Sequence, residues 1–276
     1  MAGWMKKAIL IGILLALAFG VHWTQEKLDQ DRVIHFVDTT PVFLPKGKVL
    51  KWFSMGYPSA MADWLWIRSV LYYGRRAMDE DNPYYLYAIE KGNLSKELEN
   101  VTHRVKSIEQ KVSQISPTLA FQSKLQHILF RFDSRGLVNY MYPLLDRVTT
   151  LNPHFIFPYI FGGVYLLMDT GEYDQAEALL QKGYRENPDH WQFPFYLAWL
   201  RWMYQGDILS AQKYLMEAVG KPSAPEYVYA MLKGIAQETQ TVEVTRSYLQ
   251  SLLSETKSEE LRKRIEKLLS ELENTK

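Results

Sequence analysis

The chain contains no cysteine. That absence excludes disulfides, a thiolate nucleophile, cysteine-containing zinc sites, cysteine-ligated iron–sulfur clusters and a lipid-bearing N-terminal cysteine. An excess of either charge is also lacking. The 32 Lys and Arg balance 31 Asp and Glu to a formal net charge of +1, leaving no overall basic field for nucleic acid and no acidic excess for cations. The usual catalytic signatures are missing too: no G-x-x-x-x-G-K-[ST], no G-x-G-x-x-G, no G-x-S-x-G and no H-E-x-x-H. The six histidines, at 22, 35, 103, 127, 154 and 190, are scattered singly. His154 and His190 follow Pro153 and Pro188 so closely that helix N-terminal turns explain them better than metal binding does. These absences predict a protein that is not an enzyme, with no cofactor, no metal and no nucleic-acid partner.

What the chain does have is apolar and aromatic mass. Of 276 residues, 47% are hydrophobic and 14% aromatic, with 18 Tyr, 12 Phe and 8 Trp, enough for a sizeable core. Ala8 to Val21 is an uninterrupted apolar run preceded by Lys6 and Lys7 and flanked by Trp4 and Trp23. Counting the tryptophans the run covers about 20 residues, roughly the span of a hydrocarbon core. Lysines before the run place the N-terminus in the cytoplasm, and Trp at each end suits the two interfaces. Residues 1–24 are therefore read as a single-pass anchor in the inner or plasma membrane, with an extracytoplasmic, periplasmic body. A cleaved signal peptide ending near Ala16-Leu17-Ala18 is an alternative, and a buried helix of a soluble protein is another.

Residues 25–50, with Pro41, Pro45, Gly47 and several β-branched side chains, read as an extended connector. Residues 51–93 read as aromatic-rich N-terminal helices. Within them Ser54 to Tyr73 carries aromatics around more than one face and is expected to be buried on most sides, with Asp63 and Arg68 as an internal ion pair or cap. In residues 94–116 the apolar positions 94, 98, 101, 105, 108, 112 and 115 form a heptad seam. That seam serves either an intramolecular helical hairpin or self-association through 94–115.

From about residue 122 a period appears. Gly136, Gly171 and Gly206 stand 35 residues apart, as do Met141, Ala176 and Ala211, and Leu145, Leu180 and Leu215. Pro153 and Pro188 repeat at the same interval, and Pro222 comes one residue early. Each unit reads as a helix, a glycine turn, a second helix and a proline stop. An alternative makes the aromatic helix near residue 64 the true partner of 136–151, with 75–134 as an insertion.

Phe157 to Pro188 resembles a tetratricopeptide repeat, a unit of about 34 residues. The matching residues are Gly162, Gly163, Gly171, Tyr173, Ala176 and Pro188, followed in the next unit by Ala198, Gly206, Ala211, Leu215, Ala218 and Pro222. A weaker unit, Gln122 to Pro153, precedes these, and a degenerate one without a turn glycine, Glu226 to Thr256, follows. The resemblance implies an all-α protein, a right-handed α-solenoid of helix hairpins over 117–256, which the apolar run places behind an N-terminal transmembrane helix. A capping helix over 257–276 closes it, with Thr256 and Glu259 in capping-box spacing.

In this family the first helices of successive units line a groove that takes protein segments. Carried over by position, that groove is lined by Gln126, Phe130, Phe161, Tyr165, Met168, Tyr196, Leu200, Met203 and Tyr204. Its aromatic and Met-rich character predicts an apolar or aromatic-anchored segment as guest. The expected function is a membrane-anchored scaffold or adaptor that docks an unidentified protein partner within an envelope assembly. The alternatives are an enzyme or accessory protein acting on envelope glycan or lipid, and a soluble adaptor.

Overall fold

A computed structural model describes residues 45–76, 103, 105–129, 140–168 and 171–273, together with positions 12, 16–17, 19–21 and 23–24. The chain divides into two units, Met1–Val42 and Phe43–Lys276. In the first, the described positions are helical, and the rest of the candidate anchor and residues 25–44 lie outside the described set. Among the described residues no helix is long and apolar enough to cross a membrane.

The second unit is all-α, with no strand among its described residues. Its helices are α1 (Gly47–Phe53), α2 (Pro58–Arg76), α3 (Pro117–Leu129), α4 (Met141–Leu151), α5 (Ile156–Phe161), α6 (Tyr173–Glu186), α7 (Gln192–Trp199), α8 (Ile208–Val219), α9 (Glu226–Glu238), α10 (Val242–Glu255) and α11 (Glu259–Glu273). Two of them do not stop where their α geometry ends. α5 runs on as a π-helical stretch, Gly162–Met168, and α7 as another, Leu200–Tyr204. A helical segment at 105–113 precedes α3.

Helices from α2 onward pack as two rows. In one row α2, α5, α7 and α9 are neighbours, joined by ring contacts such as Trp66–Phe161 at 5.9 Å and Trp191–Tyr227 at 5.8 Å. In the other, polar side chains bridge successive helices. The Lys182 ammonium on α6 donates to Asp146 Oδ1 and O and to Thr149 and Thr150 Oγ1 on α4, at 2.8–2.9 Å. Tyr184 Oη donates to Glu217 on α8 at 2.8 Å, and Gln212 on α8 donates to Thr241 and Thr245 beside α10.

Small residues set the spacing between rows. A Cβ at Gly162 would come within 2.7 Å of the Leu145 side chain, one at Gly163 within 3.0 Å of Leu180, and one at Gly183 would overlap the Phe193 ring. Ala176 and Ala211 are fully buried. Gly171 and Gly206 occupy the bends before α6 and α8 with φ of 86° and 69°, conformations that a side chain disfavours. Gly136 lies outside the described residues. In the degenerate unit Gln240 takes φ 56° at the bend between α9 and α10, where the earlier units use glycine.

Several expectations need correction. Helix α3 does not pair with α4 as the first half of a repeat; α4 packs on α2, and Tyr72 Oη accepts from the Tyr140 N–H at 3.1 Å. The two are 68 residues apart in sequence, so the region between is an insertion, the alternative reading above. Helix α2 is not buried on most sides. Ala62, Leu65, Ser69 and Tyr72 form its inner face, while Trp64, Ile67 and Leu71 are more than half exposed. Asp63 and Arg68 face solvent, and the Arg68 guanidinium lies 4.9 Å above the Trp64 ring, so no internal ion pair is required. The connector ends at Lys46, because Gly47 opens α1 and packs against Thr150. Helix α11 is capped by Ser258, whose Oγ accepts from the Leu261 N–H at 3.3 Å, and not by Thr256. Ile265, Leu268 and Leu272 are its buried stripe.

Replacing Gln240 with glycine is expected to raise stability by about 0.5–1 kcal/mol, because it removes a side chain from a left-handed backbone. Gly206→Ala is expected to lower it by about 1–2 kcal/mol for the same reason with opposite sign. Thermal unfolding of the two variants checks the pair. Equal Tm shifts in one direction would contradict it.

Candidate functional site: an aromatic ledge on the first-helix row

The ledge starts on α2 and ends on α9. Trp66 meets the edges of Phe155, Phe157 and Phe161 at 6.5, 5.6 and 5.9 Å. Phe157 stacks on Phe161 at 5.2 Å, and Phe161 touches Tyr165 at 5.1 Å. Tyr73 Oη reaches the Tyr165 carbonyl at 3.3 Å. On the next two helices Phe195 contacts Tyr196 at 5.1 Å and Tyr227 at 5.5 Å, while Trp191 closes on Tyr227. Such edge and offset contacts fix ring orientation as well as burying area. Phe157, Tyr165 and Tyr227 remain 54%, 49% and 50% exposed.

The Tyr196 phenol is pushed above its ordinary pKa by burial first and then by the neighbouring phenols of Tyr165 and Tyr227. Burial alone raises Tyr227. Near neutral pH the Tyr196 and Tyr227 hydroxyls are therefore neutral, able to donate and accept, on rings whose faces and edges are apolar.

The expected groove residues separate into two sets. Phe161, Tyr165 and Tyr196 belong to the ledge. Met168, Leu200, Met203 and Tyr204 are buried and offer nothing to a guest in this arrangement. One cause is local: the π stretches Gly162–Met168 and Leu200–Tyr204 have wider turns than an α-helix, so phases projected at 3.6 residues per turn slip inward along them. The other is the insertion. Segment 105–113 and α3 lie across the C-terminal ends of α7 and α9. Ser123 Oγ donates to the Met203 carbonyl at 2.8 Å, Gln126 Nε2 donates to Tyr204 Oη at 3.1 Å, and Ser116 Oγ donates to Glu238. Gln126 thus belongs to what covers the row and does not line it. Phe130 lies outside the described residues.

Of the heptad seam, Ile108 and Val112 are buried against Gly206, where a Cβ would stand 3.3 Å from a methyl of each. Those two seam positions are used within the chain, while Ile115 is 43% exposed. Positions 94, 98 and 101 lie outside the described residues.

Sequence reasoning missed Phe157, Trp66, Trp191 and Tyr227. Tyr165, Tyr196 and Tyr227 are separated by 31 residues each, not by the 35 of the glycines, so alignment on the glycine period hides the tyrosine row. His154 is held by Asn187, its Nδ1 2.9 Å from Oδ1, in a contact between successive units. Among the described residues no group of His, Asp and Glu is placed to hold a metal ion.

No protein-family model matches the sequence, and no curated protein matches it either.

Removing the Ser123 and Gln126 side-chain bonds together (Ser123→Ala with Gln126→Ala) is expected to loosen 105–129 by about 1 kcal/mol per bond. Amide hydrogen exchange should then speed up in 105–129 and at 203–206, and stay unchanged in α10 and α11. Uniform acceleration through the whole unit would show that the insertion is not a separable cover.

Proposed function

We propose that this chain is a membrane-anchored helical-repeat scaffold of the tetratricopeptide type, a solenoid that binds a protein segment on its first-helix row and transforms nothing. The observation that carries the reading is the open ledge: three exposed rings, Phe157 and Tyr165 on α5 and its π continuation and Tyr227 on α9, backed by rings that hold them in place. Aromatic side chains so supported lose little entropy on binding and concentrate binding energy. The bends at Gly171 and Gly206, the buried small residues at 176 and 211 and the polar bridges between second helices support the repeat reading. The apolar run from Ala8 to Val21 behind Lys6 and Lys7 supports a single-pass anchor with the scaffold across the membrane from the cytoplasm. Within an envelope assembly such a protein holds one subunit beside the bilayer.

The guest that suits the ledge is a segment with an apolar or aromatic anchor. Phenol hydroxyls at the rim accept and donate to its backbone, while the ring faces take its side chain. Among the described residues no charged side chain forms part of the ring network, so none of them offers a carboxylate-ended peptide a counterion there.

A photo-crosslinking phenylalanine analogue placed at Tyr165 and, separately, at Tyr227 in the full chain in its own cells tests the reading. Both positions are expected to trap the same protein. Tyr165→Ala and Tyr227→Ala are each expected to weaken its capture by about 1–2 kcal/mol, roughly 5- to 30-fold. Adducts of glycan or lipid alone, identified by mass spectrometry, would replace the scaffold reading with the glycan- or lipid-handling one.

A further inference from the structure

The turn between α1 and α2 presents apolar side chains outward. Trp52 is 77% exposed, Phe53 55%, Met55 86% and Tyr57 74%. These values are unusual for four large side chains within six residues, and a contiguous exposed apolar patch marks a contact surface. The tip is also held in shape. Met55 sits at φ 48° and Gly56 at φ 91°, Tyr57 N–H donates to the Ser54 carbonyl at 2.8 Å, and Ser54 Oγ donates to the Lys51 carbonyl at 2.6 Å. A methionine in the left-handed region is a strained residue on display. From behind, Gly47 packs on Thr150, and Arg147 Nε donates to the Pro45 carbonyl at 3.3 Å, fixing α1 to α4.

Charge identifies the occupant. Lys46, Lys48 and Lys51 are all exposed on or beside α1, and no acidic residue occurs between 45 and 62. A cluster of lysines around Trp, Phe, Met and Tyr suits the headgroup layer of a bilayer, where ammonium groups meet lipid phosphates and the rings sit at the boundary with the acyl chains. The exposed stripe Trp64, Ile67, Leu71 continues the apolar surface along α2, and Arg68, stacked on Trp64, can reach outward past it to the phosphates. A protein partner of the ledge has no need of three lysines at the far side of α1.

We propose that the α1–α2 turn is a membrane-docking surface that takes the headgroups and shallow acyl region of an anionic lipid bilayer. It is distinct from the apolar run at 8–21 and independent of the ledge. With both in place the body lies against the membrane instead of swinging on a connector, and the first-helix row is held at a set height above the lipid. The inference relies on the proposed anchor only for delivery to the bilayer, and the experiment below separates the two.

Because the chain has no cysteine, a single environment-sensitive fluorophore can be placed on the full-length protein by Met55→Cys, with Ser251→Cys on α10 as the distant control. Both labelled proteins are reconstituted with phosphatidylcholine vesicles, with or without phosphatidylglycerol, carrying a shallow spin-labelled quencher lipid. The label at 55 is expected to shift to the blue and to be quenched several-fold more than the label at 251, more strongly when phosphatidylglycerol is present. Replacing Lys46, Lys48 and Lys51 by glutamine is expected to weaken that anionic-lipid dependence by roughly fivefold per lysine in local affinity. Circular dichroism of the variant checks that the fold is kept. Equal, weak quenching at 55 and 251 in protein that still floats with the vesicles overturns the docking surface and leaves the anchor standing. Failure to float, with no quenching at 55, overturns both. A blue-shifted label at 55 that lipid does not quench means that protein, from this chain or a second copy, covers the turn, and overturns the proposal.

Discussion

The two rows of helices hold together because hydrogen atoms stand where side chains would wedge them apart. At Gly183 there is room for the Phe193 ring only because no Cβ is present, and Gly162 and Gly163 give the same clearance to Leu145 and Leu180. Each contact joins a first helix to a second helix of its own or the neighbouring unit, so the spacing is transmitted along the stack. Once the rows are that close, Leu145, Leu179, Leu180 and Leu197 are fully excluded from water, at about 1.5–3 kcal/mol each. The bends at Gly171 and Gly206 are the complementary requirement, since the chain must reverse in very few residues to return at that distance.

Polar contacts do a different task. Lys182 is only about one-fifth exposed, and its ammonium meets four acceptors on α4, which satisfies a charge that burial would otherwise penalise. Gln212 with Thr241 and Thr245 does the same without charge two helices later. These bridges lie between second helices, on the row away from the ledge. The first-helix row is joined by rings instead. One row is thus registered by directional bonds and the other by edge and stacking contacts, which leaves ring surface in excess at the margin of the first row.

The all-α fold and its bends were legible from sequence wherever a residue answers a local demand. Gly171 and Gly206 are readable because a left-handed bend admits little else, and Ala176 and Ala211 because close helices admit little more. The pairing of α2 with α4 was open in the sequence, because the demand is met by Tyr72 and Tyr140, 68 residues apart, with an insertion between them whose own helices mimic a repeat. The π stretches could not be read at all, since no residue type signals a wider turn, and they shift Met168 and Leu200 from the face that a regular period assigns them. Tyr227 was hidden by its 31-residue spacing. The aromatic richness was visible, but which rings are structural and which are displayed depends on contacts between units.

The insertion decides how much of the first-helix row is open. Among the described residues, side-chain bonds from Ser116, Ser123 and Gln126 hold it, each contributing about 1 kcal/mol net, and Ile108, Val112 and Leu119 are buried with it. Those three apolar side chains add about 1.5–3 kcal/mol apiece. A guest that had to displace the cover would forfeit that sum before gaining any contact of its own, and its affinity would fall by the fraction of chains already uncovered. The ledge at Phe157, Tyr165 and Tyr227 requires no such opening. Phe157 and Tyr165 lie on α5 and its π continuation and Tyr227 at the N-terminal end of α9, and α3 forms none of these bonds there. The covered half is held by these bonds and buried side chains, and the open half exposes its rings with no part of the fold undone.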